Sequence, residues 1–211
     1  MRGYEKRLRP LFGRGAHLVF HGRPIVGGAA CVRVDTSAGV RQSVAHVLDR
    51  GRQRPSLVLW NMADERSRLR REGYLAELTA RELTVDEGLI WSARSASDVP
   101  SLDVVDRAID TLIVRHAADA LIADDDVWAA RLIQRLKDRG FQVPSDVAVV
   151  GYDNLRLATV IDPPLTTVDQ NHAAYAHAAL DLAIRIHRGD ELARAERIVT
   201  VQPRLIVRDS T

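Results

Sequence analysis

Short runs of Val, Leu and Ile at 17–21, 31–35, 56–60, 88–92, 120–123 and 147–151 alternate with longer stretches whose apolar residues recur every three or four positions. The runs read as strands and the stretches as amphipathic helices, so the pattern predicts an α/β sheet. Several runs are apolar throughout rather than alternating, as in a parallel sheet covered by helices on both faces. Helix boundaries are legible too. Val40, Val44, Val47 and Leu48 form a stripe ending at Gly51, and Leu102, Val105, Ile109, Leu112 and Ile113 form another opened by Ser101. A third stripe, Ala129, Leu132, Ile133 and Leu136, stops at Gly140 with Pro144 beyond it. A last helix is predicted over 169–188, closed by Gly189, and tail strands over 197–201 and 204–207. Between 56 and 151, four strands joined by three helices make one complete doubly wound unit. The segment before it holds a possible helix, two strands and a helix, too little for a second complete sheet.

Composition narrows the class. With 211 residues, 46% of them hydrophobic, the chain can bury a sizeable core, which excludes a disordered tail or a disulfide mini-protein. The 30 basic and 28 acidic residues nearly cancel, leaving +2 and no broad field for a polyanion. Arg2, Lys6, Arg7, Arg9 and Arg14 form the one basic cluster, diluted by Glu5. Cys31 is the single cysteine, so no internal disulfide or cysteine-based zinc site is expected, in keeping with a reducing cytosol. No window reaches the ~18 consecutive apolar residues of a membrane span, and no secretory pattern opens the chain. A soluble, cytoplasmic protein is expected.

In an open α/β sheet, ligands bind beyond the carboxyl ends of the strands. The residues there are 61–64, 91–93, 124–126 and 152–154, a mixture of carboxylates, an amide and aromatics. Carboxylates and amides bond to hydroxyl groups in pairs while an indole covers an apolar ring face, so the set suits a polyhydroxylated ligand. Each residue also has a plainer reading: an Asp after a strand commonly caps the next helix, and Trp91 could be core. Enzyme signatures are missing from the sequence. It has no P-loop, no dinucleotide fingerprint, no G-x-S-x-G elbow and no H-E-x-x-H, and His172 and His177 are spaced five apart. No catalytic residue, metal or cofactor is expected, and the consecutive Asp124, Asp125 and Asp126 read as helix-capping.

The stretch Val143-Pro144-Ser145-Asp146-Val147-Ala148-Val149-Val150-Gly151-Tyr152-Asp153-Asn154, followed by Pro163-Pro164-Leu165-Thr166-Thr167-Val168-Asp169-Gln170, closely resembles the lactose-repressor (LacI/GalR) family. That family carries VP-DVAVVG-(F/Y)-D-(D/N) and then PPLTTV-Q before a helix. Residues 120–130 look like its strand, Asn/Asp-Asp pair and helix, and residues 68–74 are similar to its R-x-x-G-(Y/F) helix. Val34-Asp35 with Gly39 and His46 resembles a further family segment. The similarity runs from about 17 to 207. The chain departs from the family at Arg131 and Ala176, where a Gly is common, and it contains no helix-turn-helix.

The resemblance implies a periplasmic-binding-protein-like fold: α/β, doubly wound parallel sheets in two lobes, the N-terminal lobe incomplete. Residues 1–54 and 167–190 would form that partial lobe, and 55–166 and 191–211 the C-terminal one. It also implies site residues. Asp153 would accept hydrogen bonds from ligand hydroxyls, Arg70 would donate to the ligand, and Asp125 would face the cleft with Asp126 as a cap or second contact. Trp91 would stack on the ligand. The function implied is the effector-binding core of a transcriptional regulator. It would take a sugar or related metabolite between its lobes, act as a homodimer, and reach operator DNA only through a helix-turn-helix outside this sequence. A stand-alone sugar-binding module is the alternative.

Overall fold

Six strands line up side by side in the larger of two units into which the chain divides, residues 36–169 with 203–211. The structure is a computed structural model that describes residues 2–24, 26–62, 64–93 and 101–211, with side chains from Lys6 onward. The elements of this unit are α2 (Thr36–Asp49), β3 (Pro55–Leu59), α3 (Glu65–Ala80), β4 (Ile90–Ser92) and α4 (Leu102–Ile109). They continue with β5 (Ala120–Ala123), α5 (Asp126–Asp138), β6 (Ala148–Tyr152), β7 (Thr166–Asp169) and β9 (Arg204–Ile206). The strand order is β4-β3-β5-β6-β7-β9, parallel throughout except for β9, which closes one edge antiparallel to β7. The chain leaves β3 in one direction to β4 and returns past it to β5. The carboxyl ends of β3 and β5 therefore flank the switch point, where an open sheet leaves room for a ligand.

The fully apolar strands are explained by burial on both faces. Val58, Leu121 and Val149 pack with Val105 and Ile109 from α4, Trp128 and Leu132 from α5, and Leu112 just beyond α4. Their strand neighbours Leu57, Leu59, Ile122 and Val150 pack on the opposite face with Val40, Val44, Val47, Tyr74 and Leu78 from α2 and α3. The period-2 alternation of strand side chains thus feeds two cores at once. Helices α2 and α3 meet at Gly73, where a Cβ would drive into the carbonyl oxygen of Ser37. The glycine is required there by close approach.

The smaller unit, residues 1–35 with 170–202, holds α1 (Arg2–Gly13), β1 (Val19–His21), β2 (Ala30–Val34), α6 (His172–Arg188) and β8 (Ile198–Val201). Its sheet is parallel in the order β1-β2-β8, and its core is Ala30, Val32, Leu182, Leu192 and Val201. The α/β class and the incomplete first lobe agree with expectation, but the division of the chain differs. Residues 36–54 were expected in the smaller unit and lie in the larger, because the Val40–Val44–Val47 stripe covers Leu57 and Leu59. Residues 191–202 were expected in the larger and lie in the smaller, because β8 pairs with β2 through Cys31–Ile198 to Val34–Val201. Residues 167–169 belong to β7 and so to the larger sheet. No helix among the described residues is long and apolar enough to cross a membrane.

Candidate functional site

The residues that follow β3, β4, β5 and β6 build the carboxyl edge of the larger sheet. After β3 come Trp60 and Asn61, and then Asp64, which caps α3 by accepting from Ser67 N at 2.7 Å. After β5 come Asp124 and Asp125. Asp125 is the cap of α5: its Oδ1 accepts from Trp128 N at 2.7 Å, and its Oδ2 accepts from Trp60 Nε1 at 2.9 Å. Both oxygens are thus engaged inside the protein. Trp60 and Trp91 stand edge-on to the buried Trp128, with ring centroids at 5.3 and 5.6 Å. Both are half-buried, Trp60 directly after β3 and Trp91 within β4.

Arg70 lies on α3, one turn beyond the capped start, and points under the edge. It is 5% exposed and Asp124 is 6% exposed. Arg70 Nη2 donates to the Asp124 carbonyl oxygen at 2.9 Å, and Arg70 Nε is 3.2 Å from Asp124 Oδ1, an ion pair off the line of a hydrogen bond. The guanidinium carbon is 4.6 Å from the centroid of the Tyr152 ring, a cation–π placement. Arg70 Nε and Nη1 and Asp124 Oδ1 have no hydrogen-bond partner among the described residues. Buried donors and acceptors are satisfied in folded proteins as a rule, and an unmet one costs about 1–3 kcal/mol. Burial also pushes the Asp124 carboxyl up to about 6, against the opposing pull of Arg70. The two side chains together offer donors and an acceptor to a group that carries both, as a hydroxyl does.

At the end of β6 the backbone turns sharply. Asp153 has φ +105° and Asn154 φ +50°, both in the region that favours glycine. Asp153 N donates to Val168 O at 2.8 Å, and Asn154 Oδ1 accepts from Arg208 Nη2 at 2.8 Å. Asp126 has no exposed surface; its carboxylate accepts from Leu155 N at 2.6 Å and from Thr167 Oγ1 at 2.5 Å. Burial raises its carboxyl to about 6 as well.

Of the five residues expected at a site, Arg70 and Asp153 stand at this edge, and Trp91 lies within β4, paired with Val58. Asp125, half-buried, caps a helix and anchors Trp60, and Asp126 is enclosed. The carboxylate placed against Arg70 is Asp124, which the sequence reading had assigned to capping. Trp60 closes the predicted 56–60 strand and so carries no site signal of its own in the sequence. In the smaller unit, Tyr175 donates to Val32 O at 3.0 Å and its oxygen lies 2.7 Å from His21 Nδ1. With the hydroxyl hydrogen so used, the His21 ring is the donor of that contact.

Residues 44–211 match the family described as the periplasmic binding protein-like domain. The chain belongs to that family. It is 28% identical over 183 residues to an HTH-type transcriptional regulator of Lachnoclostridium phytofermentans, covering 86% of this chain and 52% of the relative. A regulatory protein of the LacI family from Chloroflexus aggregans superposes with a TM-score of 0.84 at 25% identity, covering 97% of this chain and 72% of that one. A structure described as a transcriptional regulator CelR–cellobiose complex superposes with a TM-score of 0.77 at 27% identity, covering 92% and 58%. These relatives are named as regulators, one of them of the LacI family that the sequence motifs resemble. The chain spans about half the length of the curated relatives it matches.

Proposed function

We propose that this chain is the effector-sensing core of a LacI-type transcriptional regulator and that it holds a small polyhydroxylated ligand, a sugar or related metabolite, at the carboxyl edge of the six-stranded sheet. The observation that carries this is the buried ion pair of Arg70 and Asp124, whose Nε, Nη1 and Oδ1 have no hydrogen-bond partner among the described residues. A ligand hydroxyl accepts from Arg70 and donates to Asp124, Asp153 provides a second acceptor, and Trp60 or Trp91 covers the apolar face of the ring. The cellobiose held by the CelR neighbour supports a sugar as the ligand class.

In this reading the chain acts in the cytoplasm as part of a homodimer. The ligand prefers one conformation of the core and so changes operator affinity through a helix-turn-helix in the full-length protein. Linkage requires that operator and ligand alter each other's affinity equally. A thermal-shift screen of the chain at pH 7.5 against cellobiose, D-glucose, D-galactose and D-ribose tests the reading. A saturable rise in Tm with at least one sugar, abolished in Arg70→Met, is expected. No shift with any of them, or an equal shift in Arg70→Met, overturns it.

A further inference from the structure

Asp126 is enclosed at a place where the helix does not need it, since Asp125 already caps α5. We propose that Asp126 is a positioning residue: with Thr167 it clamps the 153–155 turn and so sets the direction of the Asp153 carboxylate at the ligand edge. This rests on the reading of Asp153 as a ligand contact.

Three consecutive backbone amides of the turn are held from one side. Asp153 N donates to Val168 O at 2.8 Å, Asn154 N to Thr167 Oγ1 at 3.3 Å, and Leu155 N to Asp126 Oδ2 at 2.6 Å. Thr167 Oγ1 in turn donates to Asp126 Oδ1 at 2.5 Å, so the carboxylate anchors two of the three, one directly and one through the threonine. The turn needs such anchoring. Positive φ at Asp153 and Asn154 is costly for residues with a Cβ and persists only where the surroundings impose it. The neighbouring strand makes room for the acid: a Cβ on Gly151 would collide with Asp126 Oδ1 and with the Leu165 side chain. An acid enclosed at this cost, as its raised carboxyl value also indicates, is consistent with bonds that the turn requires.

Hydrogen exchange of the whole chain at pH 7.5 tests the clamp, comparing the parent with Asp126→Ala, Asp126→Asn and Thr167→Val. Asp126→Ala is expected to speed exchange of amides 153–155 at least tenfold, with the amides of β3 and β5 unchanged. Thr167→Val is expected to do the same at Asn154. Asp126→Asn keeps an acceptor for Leu155 N and a donor toward Thr167 Oγ1, and is expected to stay within threefold of the parent. Unchanged exchange at 153–155, or acceleration spread evenly over the sheet, overturns the proposal; should Asp126→Ala not fold, Thr167→Val and Asp126→Asn decide it. For any of the four sugars that binds the parent, the Tm shift is expected to shrink in Asp126→Ala and return in Asp126→Asn, and an undiminished shift in Asp126→Ala overturns the positioning role. If no sugar binds the parent, the ligand role of Asp153 falls and the positioning role with it, while the exchange pattern still decides whether the clamp exists.

Discussion

Replacing Asp124 by Asn separates a carboxylate kept for stability from one kept for a ligand. The substitution preserves shape and removes the charge. An aspartate in the unfolded chain titrates near 3.8, and burial holds this one at about 6 even with Arg70 beside it. The folded state therefore binds the proton more tightly than the unfolded one. The resulting contribution to stability is fully present below about pH 3.8 and is lost as pH rises through 6. Two units at about 1.4 kcal/mol each make the ionised carboxylate cost the fold roughly 3 kcal/mol at neutral pH. Asp124→Asn is thus expected to stabilise the unliganded chain by roughly 3 kcal/mol at pH 7.5, or about 6–12 °C in Tm for a chain of this size. The gain should fall to near zero at pH 3.5. Arg70 keeps its bond to the Asp124 carbonyl oxygen, so one anchor of the guanidinium survives the change. Urea denaturation at both pH values, with equal m values for parent and variant, measures the difference. A variant less stable than the parent at pH 7.5 refutes the reasoning, because the Arg70 ion pair would then outweigh the desolvation of the acid.

Asp126 adds to the same trend, so the parent's Tm is expected to rise as pH falls from 7.5 to 5.5, and a flat or falling profile contradicts the raised values of the two acids. Asp125→Ala is expected to cost about 1–2 kcal/mol in urea denaturation through loss of the cap, and an unchanged stability would show that cap to be idle. Trp60→Phe removes the Nε1 donor to Asp125 and is expected to cost about 1 kcal/mol in urea denaturation, and a null effect would show that bond to be idle. Gly73→Ala is expected to lower stability by about 2–3 kcal/mol because the new Cβ meets the Ser37 backbone, which cannot yield as a side chain would. Wild-type melting of that variant would mean α2 and α3 shift apart freely.

The larger sheet was legible because its strands are buried on both faces and its helices carry clear stops: Gly51 and Gly140 both have positive φ beyond a helix end. Strand β7 was harder to see as a strand, since Thr166 and Thr167 look polar and yet are fully buried and bonded to Arg208, Thr211 and Asp126. The assignment of 36–54 and 191–202 to the two units turned on pairing between segments distant in sequence, which no local pattern reports. Asp153 was legible from its place after a strand and Arg70 from the motif helix, while Trp91 lies inside β4. The three acids at 124–126 could not be told apart in sequence. Which one caps, which is enclosed and which meets Arg70 depends on the direction each Cβ takes as β5 hands over to α5.

The Arg70 donors that lack a hydrogen-bond partner are expected to be the donors to a ligand. Nuclear magnetic resonance of the Arg70 Nε–H during titration of the chain with cellobiose, D-glucose, D-galactose and D-ribose at pH 7.5 reads this directly. A saturable shift of that resonance with at least one sugar is expected. Saturable binding that leaves Arg70 Nε–H unmoved, or no binding by any of the four, would contradict it.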